Sequence, residues 1–97
     1  MVEHIVLFKL KDGTTDSEKS LVVETLKTLA SIEGIKELSV GLNHSQEGKS
    51  KGFEVCMRVC FENQAALDAY IPSPAHVSTV DKVRQYFEDV IVVDYTP

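Results

Sequence analysis

The feature that most constrains this fold is the apolar content of two segments, one near each end of the chain. Residues 5–8 read Ile-Val-Leu-Phe and residues 90–93 read Val-Ile-Val-Val. Short runs of β-branched and aromatic residues predict β-strands, here over residues 3–10 and 90–95. A strand with one face in water alternates apolar and polar residues, whereas these runs are apolar at successive positions. We therefore expect a sheet in which both faces of these two strands are covered.

The segments between these strands predict a known order of elements. A capping box at Thr15 and Glu18 and a cap at Asn63 mark two helix starts. The pattern predicts, in chain order, a helix over residues 15–32, strands over 35–42 and 53–61, a short helix over 63–70 and a further helical segment that runs to about residue 87. This β-α-β-β-α-β order, with its second helical segment broken in two, predicts a ferredoxin-like α+β subunit.

The same spacing predicts which helix positions are buried and how the sheet is covered. The apolar stripes are Leu21, Val22, Leu26, Leu29 and Ala30 in the first helix and Val77, Val80, Val83 and Phe87 in the last. Helices of a ferredoxin-like subunit cover one face of the sheet, and no predicted element is left for the other. The simplest cover is a second copy of the chain, sheet against sheet, so we expect a homodimer.

Composition narrows the function classes. The chain has 97 residues, which we interpret as one domain over residues 1–97, and a net charge of −5. An acidic chain without a basic cluster argues against nucleic acid and anionic membranes as partners. We see no apolar run long enough to span a membrane and no signal peptide, so we expect a cytoplasmic protein.

Cysteine and histidine spacing argues against cross-links and side-chain metal sites. Cys56 and Cys60 fall on one predicted strand. Four residues of strand span about 13 Å, which is too far for a disulfide or a shared metal ion. The three histidines, at positions 4, 44 and 76, lack helical ligand spacing, and no phosphate loop or nucleophile elbow is present. We expect two free thiols and no organic cofactor.

The segment Tyr-Ile-Pro-Ser-Pro-Ala-His-Val-Ser, which starts at Tyr70, contains the main candidates for chemistry. Pro72 and Pro74 forbid one continuous helix. Ser73 is suited to cap a new helix with proline at its first position, which places His76 near the third. Backbone N–H groups and the positive helix end there favour a neutral imidazole. Beside the Tyr70 phenol, it forms a candidate acid–base or ligand-orienting pair; the alternative is a kinked connector with an ordinary surface histidine.

The chain resembles the stress-responsive dimeric α/β-barrel (Dabb) family over nearly its whole length. The resemblance rests on residues 4–12, on residues 52–62, on the Pro-Ala-His-Val segment at 74–77 and on the closing Asp-Tyr-Thr-Pro at 94–97. The last two segments are the more specific. The resemblance implies a dimeric α+β barrel, in which two ferredoxin-like subunits pair their sheets.

The resemblance also implies site residues. A polyketide cyclase of this family closes a linear polyketide by aldol condensation in a pocket between sheet and helices. The matching positions imply that His76 acts as a base, that Tyr70 assists it and that His4 lines the same pocket. Where that cyclase has a further pocket histidine, this chain has Val55. The resemblance therefore does not extend to the cyclase's substrate.

A cation site is implied by the same family. Similar proteins hold a cation, for which Mg²⁺ is the candidate, through backbone carbonyls at the end of the first helix. The matching carbonyls are those of Leu29, Ile32 and Ile35. Helix C-termini expose unpaired carbonyls, which a water molecule satisfies equally well.

Two function hypotheses follow. In the first, the protein binds or converts an apolar, polyketide-like carbonyl compound by acid–base chemistry of His76, Tyr70 and His4. In the second, it is a non-catalytic stress-response protein that acts through its stable dimer or its surface, because a fold does not fix a function. A cavity lined by these three residues favours the first, and a filled interior favours the second.

Overall fold

Four antiparallel strands form one sheet, with the helices on one side of it. The computed structural model describes all residues from Met1 to Pro97. The elements are β1 Val2–Leu10, α1 Asp16–Lys27, β2 Ile35–Leu42, β3 Phe53–Phe61, α2 Gln64–Tyr70, α3 Pro74–Asp81 and β4 Phe87–Tyr95. The strand order is β2-β3-β1-β4. The predicted ferredoxin-like α+β fold is confirmed, and none of its helices has the length and apolar character needed to cross a membrane.

The first helix starts as predicted. The Thr15 side chain accepts a hydrogen bond from the Glu18 backbone at 3.1 Å, and the Glu18 carboxylate accepts one from the Thr15 backbone at 2.9 Å. After α1 the chain tightens into a 3-10 turn at Thr28–Ser31. The chain then reverses into β2 at Gly34, whose φ is +95°. Residues other than glycine rarely adopt this backbone angle.

The buried face of α1 differs from the predicted stripe. Val22, Val23, Leu26 and Leu29 are buried, whereas Leu21 is 50% exposed and Ala30 is also exposed, so the assignment of these two residues to the core was wrong. Successive residues of a helix point about 100° apart, so Leu21 and Val23 flank Val22 on opposite sides. Apolar spacing places the stripe but leaves its edges ambiguous, and the packing against the sheet selects the side of Val23.

The last helix is shorter than predicted. α3 ends at Asp81, and Phe87 begins β4, where it pairs with Leu10 of β1. Phe87 stacks on Phe8 with ring centroids 4.6 Å apart. Val83, which lies in the segment that connects α3 to β4, is buried in the core. Val77, which was also assigned to the buried stripe, is 43% exposed, so that assignment was wrong. The other three residues of the stripe lie on three different kinds of backbone: Val80 in α3, Val83 in the connecting segment and Phe87 in β4.

The face of the sheet opposite the helices carries apolar side chains that are only partly buried or exposed. We call Ile5, Leu7, Ile91 and Val93 the helix-free face; Ile5 pairs with Val93 and Leu7 with Ile91 across β1 and β4. Ile91 and Val93 are 40% and 51% exposed. No element of the chain covers this face, as the two-faced apolar strands predicted.

Both cysteines lie on β3 and are free thiols, as expected from their spacing. Cys56 pairs with Leu7 of β1, and Cys60 pairs with Glu3. Both cysteines are therefore on the face of the sheet opposite the helices. Burial raises the pKa of the Cys56 thiol, which keeps it protonated and unreactive at neutral pH.

Candidate functional site

A cavity of about 400 Å³ lies between the sheet and the segment that joins α2 to α3. Its lining comprises two histidines, His4 and His76, and eight apolar residues, Val6, Phe8, Met57, Ile71, Val80, Phe87, Val90 and Val92. The cavity exists because β4 is an edge strand that the short α3 covers only in part, so Val90 and Val92 stay exposed on the helix side. The two imidazoles are its only polar side chains.

His76 is held in place by the break between α2 and α3. Ser73 caps α3 by accepting a hydrogen bond from the His76 backbone at 3.3 Å, and its hydroxyl donates to the Tyr70 carbonyl at 2.8 Å. Pro74 occupies the first turn, as predicted. The His76 Nδ1 lies 2.8 Å from the Ile71 carbonyl oxygen. Because a carbonyl only accepts, Nδ1 carries the proton, and Nε2 is the nitrogen left for a ligand.

His4 is held by a carboxylate from the neighbouring strand. It is 3% exposed, and its Nδ1 lies 2.5 Å from Oδ1 of Asp94, its antiparallel partner on β4. A carboxylate accepts this bond, so the His4 Nε2 is again the uncommitted ring nitrogen. Sequence reasoning assigned no role to Asp94. The register of β1 and β4 reveals it, because residue 94 stands opposite residue 4.

Tyr70 packs behind the two histidines. Its ring centroid lies 4.4 Å from that of His76 and 6.0 Å from that of His4. The ring is 1% exposed, and its hydroxyl is buried without a hydrogen-bond partner in the protein. Burial raises the pKa of Tyr70 to about 12, so the phenol keeps its proton at neutral pH. A buried donor without an acceptor destabilises a fold by roughly 1–3 kcal/mol, so this hydroxyl does not contribute to the stability of the fold.

The three predicted side-chain residues thus form one cluster, to which the structure adds Asp94. His4 and His76 line the cavity, and Tyr70 contacts both of their rings without lining it. His44 lies apart, exposed in the loop between β2 and β3. Two imidazoles with free Nε2 atoms in an apolar cavity are suited to moving a proton to or from a bound carbonyl compound.

The proposed cation ligands lie outside this cavity. The carbonyls of Leu29 and Ile32 each accept one backbone N–H bond, from Ile32 at 3.0 Å and from Ile35 at 3.3 Å, which leaves one lone pair on each. Carbonyl oxygens suit a hard cation, but Mg²⁺ in proteins usually takes one or two carboxylates as well. No group of three or more His, Cys, Asp and Glu side chains is arranged to hold a metal. The Mg²⁺ site stays a prediction, and no chemical step depends on it.

Comparison with known sequences identifies relatives along the whole chain. A model of the stress responsive A/B barrel domain family matches residues 2–97. The chain is 32% identical to olivetolic acid cyclase of Cannabis sativa over 97 residues, which cover 99% of this chain and 96% of that protein. It spans only 36% and 46% of the length of two other curated relatives, both from Arabidopsis thaliana.

Solved structures share the fold. An Arabidopsis thaliana crystal structure superimposes with a TM-score of 0.90 at 28% identity and covers 100% of this chain and 95% of that chain. A protein from Bacteroides fragilis superimposes with a TM-score of 0.80 at 30% identity and covers 99% and 95%. It is described as a dimeric protein of unknown function with a ferredoxin-like fold.

Proposed function

The chain belongs to the stress responsive A/B barrel domain family, and we propose that it is a homodimer whose cavity binds an apolar carbonyl compound and moves a proton at the carbon next to the carbonyl. One observation carries this proposal. The cavity is apolar except for His4 and His76, and each imidazole has Nδ1 bound within the protein and Nε2 free. An apolar cleft with a few convergent polar groups is the usual form of a small-molecule site.

His76 is the proposed base. Its Nδ1–H donates to the Ile71 carbonyl, which fixes the tautomer in which Nε2 has the lone pair. This nitrogen takes a proton from the α carbon, and the electrons of the broken C–H bond move onto the carbonyl oxygen to give an enolate. Returning the proton to another carbon completes an isomerisation. Alternatively, the enolate carbon attacks a second carbonyl of the same molecule to form the ring bond, and the resulting alkoxide takes the proton back from Nε2.

Tyr70 acts on the carbonyl oxygen, and His4 orients the ligand. The Tyr70 hydroxyl lies behind the two imidazoles, protonated at neutral pH and without a partner. We assign it the hydrogen bond that stabilises the developing negative charge, which requires the ligand oxygen to enter past the two rings. His4 orients the ligand differently: its Nε2 accepts a hydrogen bond from a hydroxyl or enol group of the ligand, while Asp94 holds the opposite side of its ring. The relative olivetolic acid cyclase is by name a cyclase, which supports this kind of chemistry at the site.

The dimer forms through the helix-free face. Ile91 and Val93 are exposed there beside half-buried Ile5 and Leu7, and a contiguous apolar patch is typical of an interaction surface. The Bacteroides relative, at 30% identity, is described as dimeric. A second copy of the chain packed sheet against sheet covers the patch by a twofold axis.

We also propose that the protein acts in the cytoplasm. Its two cysteines are free thiols, which suits a reducing compartment. Imaging of a fluorescent fusion in a cell of the source organism tests this, and a secreted fusion would contradict it.

Hydrogen–deuterium exchange tests the chemistry without knowledge of the natural substrate. Octan-2-one is incubated with the protein in D2O, and loss of its α-proton signal is followed by NMR. We expect exchange above the buffer rate, no such exchange with His76→Ala, and unchanged exchange with the matched control His44→Ala. His76→Ala should keep the fold, because it removes one hydrogen bond worth about 1 kcal/mol.

The control outcomes separate the two function hypotheses. Exchange in His76→Ala at the wild-type rate would contradict the role of His76, and an unfolded variant would make this histidine structural. If octan-2-one binds in the cavity but its α-protons do not exchange, only the non-catalytic hypothesis remains, in which the protein acts through its dimer or its surface.

A further inference from the structure

We infer that Arg58 and Glu37 pair between the two copies of the proposed homodimer, so that each guanidinium binds Glu37 of the partner subunit. The inference rests on the proposed dimer and adds the polar contact that fixes how the two sheets align. An apolar patch alone lets two sheets slide over each other, whereas a pair of opposite charges fixes their register.

Arg58 and Glu37 lie on the face of the sheet that the second copy covers. Arg58 of β3 stands opposite Ile5 of β1, which in turn stands opposite Val93 of β4. Residues that stand opposite each other in a sheet share a face, so Arg58 borders the helix-free face. The Glu37 carboxylate of β2 accepts a hydrogen bond from Arg58 at 2.8 Å, so it lies on the same face. A second copy packed on the helix-free face therefore meets both charges.

The two carboxylates bound to Arg58 differ in how accessible they are. Glu3, which lies 2.7 Å from the guanidinium, is 8% exposed and anchors Arg58 within its own chain. The Glu37 side chain is 64% exposed, and that of Arg58 is 41% exposed. An ion pair in water contributes little to stability, so Glu37 can leave the Arg58 of its own chain at little cost. A guanidinium has five N–H groups and Arg58 uses two of them, so donors remain for a partner.

Dimerisation makes this contact stronger and symmetric. Covering the face removes water from Arg58 and Glu37, and a charged group that loses its water without a partner destabilises the complex. A hydrogen bond between opposite charges gains strength as water is excluded. In a twofold dimer the contact occurs twice, because each copy contributes one Arg58 and one Glu37. Exchange between the copies therefore pairs the same charges and also joins the two chains.

The dimer dissociation constant of Glu37→Gln tests the inference. Analytical ultracentrifugation of the intact protein gives this constant for the wild type and for the variant. We expect Glu37→Gln to weaken the dimer at least ~10-fold, since both intersubunit pairs lose their negative charge. Glu62→Gln is the matched control, because Glu62 is also an exposed carboxylate and pairs with Lys36 at 3.5 Å. This pair lines a cleft beside Ala66 of α2, on the helix side, so the control should keep the wild-type constant within ~2-fold.

Mixed dimers test whether the pair joins two copies or stays within one chain. Equal amounts of Arg58→Met and isotope-labelled Glu37→Gln are combined, and the dimers are counted by native mass spectrometry. Only the mixed dimer contains both an intact Arg58 and an intact Glu37, and these two residues belong to different chains. Random association gives about half mixed dimers, and a ~10-fold gain from one pair raises this share to about nine-tenths. Arg58→Met combined with Glu3→Gln has the same charges, so its share of mixed dimers gives the effect of net charge alone.

The outcomes separate the inference from the proposed function. If Glu37→Gln keeps the wild-type dissociation constant, or if Glu62→Gln weakens the dimer as much, the inference is overturned and the homodimer stands. Equal shares of mixed dimers in the two mixtures also overturn it. If the wild-type protein sediments as a folded monomer, the inference and the proposed dimer are both overturned. The comparison of Glu37→Gln with Glu62→Gln does not depend on the folding of Arg58→Met, because it leaves Arg58 and Glu3 intact.

Discussion

At the scale of single residues, the Tyr70 hydroxyl is the clearest conflict between stability and function. It is buried with no hydrogen-bond partner, and such a group destabilises the folded state. Tyr70→Phe should therefore leave the free energy of unfolding unchanged or raise it by about 1 kcal/mol. The same change should slow α-proton exchange by ~10²-fold, because the developing oxyanion loses one donor. Urea denaturation and the NMR exchange assay measure the two effects. A loss of stability would show that the hydroxyl is bonded in the folded protein.

The pH dependence of stability provides a second prediction for Tyr70. Burial raises its pKa from 10.0 to about 12, so the folded protein holds this proton more tightly than the unfolded chain. This contribution to stability is fully present below pH 10 and is lost as the pH rises from 10 to about 12. Tyr70→Phe should lack this component. Unfolding in urea at stepped pH and tyrosinate absorbance both report it, and a variant with the wild-type pH profile would contradict the prediction.

At the scale of elements, the break between α2 and α3 positions the base. Ser73 joins the two helices, since it accepts from the His76 backbone and donates to the Tyr70 carbonyl. Ser73→Ala should destabilise the protein by about 1 kcal/mol and slow α-proton exchange, because the ring of His76 is then less firmly placed. Asn63 caps α2 in the same way, by accepting from the Ala66 backbone at 3.0 Å.

Asn63→Ala is therefore the matched control for Ser73→Ala. It should lower the free energy of unfolding by a similar amount and leave exchange unchanged, because Asn63 bonds to Ala66 of α2, whereas the imidazoles bond to Asp94 and Ile71. Equal loss of exchange in both variants would show that the rate follows general stability and not the position of His76.

At the scale of the whole molecule, two adjacent valines of β4 separate assembly from the cavity. Val93 pairs with Ile5 on the helix-free face, whereas Val92 pairs with Val6 and lines the cavity. Val93→Asp should dissociate or unfold the dimer, because the interface then buries an unpaired carboxylate. Val92→Asp should stay dimeric and lose octan-2-one binding. Analytical ultracentrifugation and NMR measure these outcomes. A wild-type protein that sediments as a folded monomer at micromolar concentration would contradict the dimer proposal.

The sequence by itself determined the order of the elements, the strand bounds of β2 and β3, and the helix starts at Thr15, Asn63 and Ser73. These signals act within a few residues of chain, so a local pattern is enough to locate them. The position of His76 in the first turn of α3 belongs to the same class, because a proline and a cap fix it locally.

Only the tertiary structure decided which distant residues meet. The bond between His4 and Asp94 joins positions 90 residues apart, and it follows from the register of β1 and β4. The same register placed Val92 on the cavity side and ended the helical run before Phe87. Local spacing does not encode these outcomes, because shifting a strand by one residue turns every side chain to the opposite face. The packing of the whole sheet against its helices selects one register.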